Sequence, residues 1–172
     1  MNVQIAVDRS RWLYHRTGNL ELWLRGHAFR HGTCLSGHNL ADICLRAAEA
    51  DAGQLPAAFL NELNGFWAVI VQSPRGVWAA VDRLRSIPLF YGQSGQRCFI
   101  SDDAGWVRDQ VADTAPDKVA LAEFLQAGYV TGPGTLYPHV RQLQAGEGLS
   151  VQLGAPGNGV MPQRYFQYQP DY

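Results

Sequence analysis

The spacing of apolar positions changes along the chain, and each change marks a new kind of element. Near the N-terminus they alternate: Val3, Ile5 and Val7, then Trp12 and Tyr14, then Leu20, Leu22 and Leu24. A period of two turns one face of an extended chain toward a core, so antiparallel strands are predicted, with Thr17-Gly18-Asn19 turning between the last two. From Asn39 the period lengthens, and Leu40, Ile43, Cys44, Ala47 and Ala48 fall on one helical face. A helix over about 40–50 follows, with Asn39 as its cap and Asp42 as an early acidic residue favoured by the helix dipole. Asp51 to Gly53 is a turn, and Pro56, whose ring pre-sets a helical φ, opens a second short helix carrying Leu60 and Leu63.

The run FWAVIVQ after Gly65 does not alternate. Near-continuous apolarity predicts a strand buried on both faces, as in the middle of a layered fold. Ser73-Pro74-Arg75-Gly76 reverses the chain, and Val77 to Val81 returns as its hairpin partner. Two short strands follow, Leu89 to Tyr91 and Cys98 to Ser101. Asp102 or Asp103 caps a short helix bearing Trp106 and Val107. Pro116 to Gln126 makes another helix, with Val119, Ala120, Phe124 and Leu125 expected inward. The stretch from Gly128 to Gly134 reads as loop, and strands at Leu149 to Leu153 and Val160 to Phe166 flank a turn at Ala155-Pro156-Gly157-Asn158-Gly159. Strands, paired helices and more strands without strict βαβ alternation predict an α+β layered fold with largely antiparallel sheets.

Composition narrows the function classes. A chain of 172 residues that is 47% hydrophobic suits one domain spanning residues 1–172 around a substantial core. A formal charge of −1 provides no basic field for a phosphate backbone, so nucleic acid is not expected as a partner. Asp8 and Arg9 interrupt the N-terminal apolar positions, which predicts neither a leader nor a membrane span and places the protein in the cytoplasm. Cys34, Cys44 and Cys98 stand at unrelated spacings, without a CxxC pair, and are expected as buried reduced thiols. His27, His31 and His38 lie near Cys34, but their spacing matches no metal-ligand pattern, so no metal is expected. Trp67, Trp78 and Trp106 read as core, whereas Trp12, Tyr14, Tyr129 and Tyr137 could form an exposed contact patch.

Several motifs recur in an order that composition alone does not explain. Leu63-Asn64-Gly65-Phe66-Trp67-Ala68 is followed by Asp82-Arg83-Leu84, Pro88-Leu89-Phe90-Tyr91 and Phe99-Ile100-Ser101-Asp102. Leu121 to Leu125 then leads into Gly128-Tyr129-Val130, and Val140-Arg141 into Leu143 and Gly146. This series resembles the N-terminal glutaminase-like domain of the asparagine synthetase family, a class II glutamine amidotransferase domain found also in β-lactam synthetases and lasso-peptide cyclases. The resemblance spans about residues 20–166. It implies an N-terminal-nucleophile (Ntn) αββα sandwich, two antiparallel sheets between helical layers.

The same resemblance implies a degenerate site. Hydrolysing members carry a cysteine directly after the initiator methionine, whereas position 2 is Asn2, and an amide cannot form a thioester. The segment similar to the family's oxyanion element is Arg25-Gly26-His27, and the one similar to its substrate-amine clamp is Gly37-His38-Asn39, where Asn39 lacks a carboxylate. Arg25, Gly26, His27 and Asn39 therefore mark a relic glutamine pocket with no catalytic residue. Where relatives have glycine in the Asp-Arg element this chain has Arg85, which predicts a locally different turn.

The function this implies is an inactive glutaminase-like scaffold for an ATP-dependent amide-forming synthetase, so the chain is not expected to be an enzyme by itself. Arg83, Arg85, Tyr91, Tyr129 and Tyr137 are the candidate partner contacts. An Asp82–Arg83 pair packed within the domain is the alternative reading of the first. The implied partners are a synthetase domain or chain of that type, with its peptide or small-molecule substrate; a homodimer stays open. No cofactor is expected on this chain, because the pyrophosphate loop that would bring ATP and Mg has no counterpart in it. A free-standing peptide- or small-molecule-binding adaptor and a glutaminase using Cys34 beside His31 or His38 are the alternative functions.

Overall fold

The computed structural model describes residues 1–153 and 159–169. Apart from Gly159, the expected turn at 155–159 lies outside them. The elements run β1 (Asn2–Ala6), β2 (Leu13–Thr17), β3 (Leu20–Arg30), β4 (Thr33–Ser36), α1 (Gly37–Ala50), α2 (Ala57–Glu62), β5 (Asn64–Ser73), β6 (Gly76–Val81), β7 (Phe90–Ser94), β8 (Arg97–Ser101), α3 (Ala104–Val111), α4 (Lys118–Ala127), β9 (Val140–Gln142), β10 (Glu147–Gln152) and β11 (Val160–Arg164). They form a seven-stranded sheet in the order β11-β10-β6-β5-β3-β2, with β4 also on β3, and a four-stranded sheet in the order β1-β8-β7-β9.

Strand β5 shows how the layers are built. Trp67, Val69 and Val71 face the helices, packing with Leu40, Cys44 and Leu45 of α1 and with Phe59 and Leu60 of α2. Ala68 and Ile70, between them, face the small sheet and meet Cys98 and Ile100. On the far side of the small sheet Phe99 and Val140 pack on Val107 of α3. Alternate residues thus fill different cores, which is why the run lacks period two, and the result is an αββα sandwich.

Several expectations need correction. The sheets are not wholly antiparallel: β1 joins β8 in parallel, from Asn2↔Arg97 to Ala6↔Ser101. Ser36 rather than Asn39 precedes α1 as its N-cap residue. Helix α4 buries Ala120 alone, leaving Val119 and Leu125 78% and 75% exposed and Phe124 largely exposed. Trp12 is buried, while Cys34 is exposed.

Candidate functional site

Strand β3 carries Arg25-Gly26-His27 past β5, in register with Ala68, Trp67 and Phe66. His27 also pairs with Ser36 of β4, and the next residues open α1, so its first turn, with Asn39, follows directly. The structure therefore places the four positions expected to form a relic pocket toward one end of the large sheet.

Gly26 has a backbone reason to be glycine. It sits at φ +98° against the partner strand, where an added Cβ would collide with the Phe66 carbonyl oxygen. Two pairs along, opposite Ala28, Gly65 at φ +138° would bring a Cβ to 2.6 Å from the His27 carbonyl oxygen. The two strands interlock at positions only glycine can fill. Close approach accounts for Gly26 without any oxyanion role.

Arg25 reaches across the sandwich. Its Nη1 lies 3.6 Å from Oδ2 of Asp102, just past β8 in the small sheet. The same oxygen accepts a 2.8 Å bond from the indole Nε1 of Trp12, and the backbone N–H of Asp8 donates to Oδ1 at 3.4 Å. The Ser10 hydroxyl and amide hold the exposed Asp8 carboxyl below the usual carboxylate range. Arg25 is thus matched by a largely buried carboxylate, and the ion pair ties one sheet to the other. Asp102 is the residue that sequence reasoning missed: of the two candidate caps Asp103 caps α3, accepting from Gly105 and Trp106 N–H, which frees Asp102 for Arg25. The adjacent Asp pair carried that signal, since one helix N-terminus uses one cap.

Around this pair the surface is aromatic. His27 stands edge-on to Phe29 and Phe66 at 6.0 and 5.7 Å between ring centres, and both phenyl rings are exposed. His38 meets His15 edge-on at 5.4 Å, and His15 Nε2 lies 3.6 Å from Asp42. Among the described residues no group of three or more His, Cys, Asp or Glu is placed to hold a metal ion.

Asn2 is elsewhere. Its amide donates to Gln96 O at the start of β8, whereas Asp102 follows the end of that strand. The five residues of β8 lie between Gln96 and Asp102, which puts them about 20 Å apart at the usual rise.

The candidate contact residues do not share a face. Arg83 turns inward by α2: Nη2 donates to Asn61 O at 2.6 Å and the guanidinium lies 4.3 Å from the Phe166 ring centre. Its Nε is buried without a partner among the described residues. The neighbouring Asp82 does not pair with it. That carboxylate, 1% exposed, accepts from the N–H groups of Trp67, Leu84 and Ser86 at 3.2, 2.8 and 3.0 Å and so organises the loop itself. Within that loop Arg85 holds φ +56°, the left-handed conformation that glycine gives. The arginine is held in that conformation rather than avoiding it, and is strained there. Tyr91 is half-buried between the sheets; burial first, then the Glu147 charge, raises its hydroxyl pKa. Tyr137 packs on the α3 side, its hydroxyl accepting from Arg108 Nη1 at 3.2 Å. Tyr129, past α4, is exposed. Arg83 and Tyr137 thus lie in opposite outer layers.

The family model described as "Glutamine amidotransferase domain" matches residues 36–166, more than half of the chain. The chain belongs to the glutamine amidotransferase domain family. Among solved structures it is similar to the allosteric regulatory enzyme of purine biosynthesis, at TM-score 0.53 and 15% identity over 91% of this chain and 31% of the other. It is equally similar to glutamine phosphoribosylpyrophosphate amidotransferase from B. subtilis complexed with ADP and GMP, at TM-score 0.53 and 15% identity over 91% of this chain and 32% of the other. The chain spans about a third of the length of these structures. No curated protein sequence matches it.

For a glutamine amidotransferase domain the thiols are the chemistry to place. Cys44 and Cys98 are buried in different cores, and burial pushes both thiols up to about 12. Cys34 is exposed on β4, paired in register with Phe29. Its neighbour in sequence, His31, stands 3.5 Å from Glu62.

Proposed function

We propose that this amidotransferase domain no longer hydrolyses glutamine and serves as scaffold and docking partner for an ATP-dependent amide-forming synthetase of the asparagine synthetase type. The observation that carries the reading is the fate of the pocket. Arg25, at the position similar to the family's oxyanion element, is engaged by Asp102, and Cys44 and Cys98 are buried with thiols raised to about 12. A thiol so raised is almost wholly protonated at neutral pH and is no nucleophile. Meanwhile the parts that shape the domain, Gly26 against Gly65 and the Asp82-centred loop, are retained. The closing segment is retained too: Gly146 N–H donates to Asp82 O at 3.0 Å. Scaffold persists where catalyst is gone.

The test has two arms. Ammonia release from glutamine by the purified chain is expected at the buffer rate, and release that vanishes in Cys34→Ala would overturn the loss of hydrolysis. Affinity capture with this chain as bait is expected to recover a synthetase bearing the S-G-G-x-D-S pyrophosphate loop. A chain that binds no such synthetase at micromolar concentration would overturn the scaffold role.

A further inference from the structure

A second constellation lies where the sandwich opens between β9 and β11. Tyr91 pairs with Arg141 across the β7–β9 ladder, and His139 lies two residues before Arg141. Residues opposite one another on paired strands share a face, which for Tyr91 is the face turned toward the large sheet, and His139 sits in the turn just before β9. Together with Gln93, and with Val160 and Pro162 of β11, they line a cleft of about 290 Å³.

His139 is fixed at its base. Asp113, whose side chain is 6% exposed, accepts from the His139 backbone N–H at 2.9 Å through Oδ2 and contacts the ring Nδ1 at 2.6 Å through Oδ1. A carboxylate only accepts, so Nδ1 carries the hydrogen and Nε2 is the ring nitrogen left for another partner. No hydrogen bond or ion pair engages the Arg141 side chain among the described residues, and it is exposed. Glu147, whose charge reaches Tyr91, is held by Arg164 at 2.8 Å. The cleft thus offers an unpaired guanidinium, an oriented imidazole and a phenol.

We propose that this inter-sheet cleft binds a small oxyanion, a carboxylate or phosphate group. Arg141 supplies the charge, and His139, oriented by Asp113, donates a hydrogen bond from Nε2 as the imidazolium, the form in which both ring nitrogens carry hydrogen. A guanidinium fork matches the paired oxygens of either group. The site uses none of the relic-pocket residues, so it stands whether or not a synthetase is the partner.

Backbone amide shifts of β9 are followed by NMR while inorganic phosphate, and separately acetate, is added to the whole chain at constant ionic strength. Saturable shifts with either anion are expected, and the tighter of the two names the source chemistry. Arg141→Gln is expected to weaken binding at least tenfold and Asp113→Asn several-fold, while Arg75→Gln, in a different cleft, leaves it unchanged. Shifts that never saturate with either anion overturn the proposal, as does a binding curve that Arg141→Gln does not move. Because Arg141 is exposed, that variant keeps the fold, and its amide spectrum without anion verifies this.

Discussion

Arg85 occupies a backbone well that its side chain disfavours. At φ +56° a Cβ crowds the following carbonyl, and such a residue persists only where surrounding bonds over-determine it. Here they do: Arg85 N–H donates to Asp82 O at 3.1 Å, and the Asp82 carboxylate holds the N–H groups on either side, Leu84 and Ser86. Relief of strain and the greater unfolded-state freedom of glycine oppose each other. With strain of about 1–3 kcal/mol against an entropy cost of about 0.5–1 kcal/mol, Arg85→Gly is expected to stabilise the domain by about 1 kcal/mol. An increase in the urea midpoint at unchanged m-value checks it. If Arg85 also touches a synthetase, the same variant weakens that complex, so a gain in stability with a loss of partner affinity separates the two roles. Asp82 presents the opposite case. Removing its carboxylate in Asp82→Ala strands buried donors, at a cost of about 3 kcal/mol by the same measurement.

Most elements were legible because their packing is local, and the exceptions are those whose partner is remote. The β5–β6 hairpin announces itself through Pro74-Arg75 between apolar runs, and the structure closes it at Ser73↔Gly76. Nothing near Val3 or Ile5 says that β1 lies parallel to a strand nearly a hundred residues on. Strands β4 and β9 are four and three residues long, too short for period two to register. The Arg25–Asp102 pair was illegible for a related reason: the motifs placed each residue, but only the crossing of two sheets brings them together. Helix α4 shows the limit most plainly. Its apolar positions have helical spacing, yet periodicity cannot report whether anything covers the face, and only Ala120 is buried. What holds α4 is its ends, with Asp117 accepting from Val119 and Ala120 N–H and Gly128 in the left-handed C-cap at φ +80°. Asp117→Ala is therefore expected to weaken the helix locally by about 1 kcal/mol while hardly moving global unfolding. Faster amide exchange confined to residues 118–127, at an unchanged thermal midpoint, is the expected pattern in hydrogen-exchange mass spectrometry. A midpoint that falls with the exchange would mean that α4 is welded into the core.

At the scale of the whole molecule the buried thiols make stability depend on alkaline pH. Cys44 lies in the core beneath α1 and Cys98 in the core between the sheets, and burial raises both from an ordinary value of 9.0 to about 12. Tyr165, stacked on Trp67 and donating to Val81 O at 2.7 Å, is raised as well, chiefly by burial. In each case the folded chain keeps a proton that the unfolded chain releases, so from pH 9 upward the unfolded state binds fewer protons and stability falls. The slope is about 1.4 kcal/mol per pH unit for each thiol across the window from 9 to about 12. Below pH 9 both states keep these protons and the groups contribute no slope. Urea unfolding at pH 8, 9, 10 and 10.5 is expected to show a flat limb and then a decline, and Cys98→Ala to remove about half of the thiol-dependent part. The exposed Cys34 gives the internal control, and Cys34→Ala is expected to leave the profile unchanged. A decline of equal steepness in the chain lacking both buried thiols would assign it to Tyr165 and the rest of the fold, and would remove the cores' cysteines as its cause.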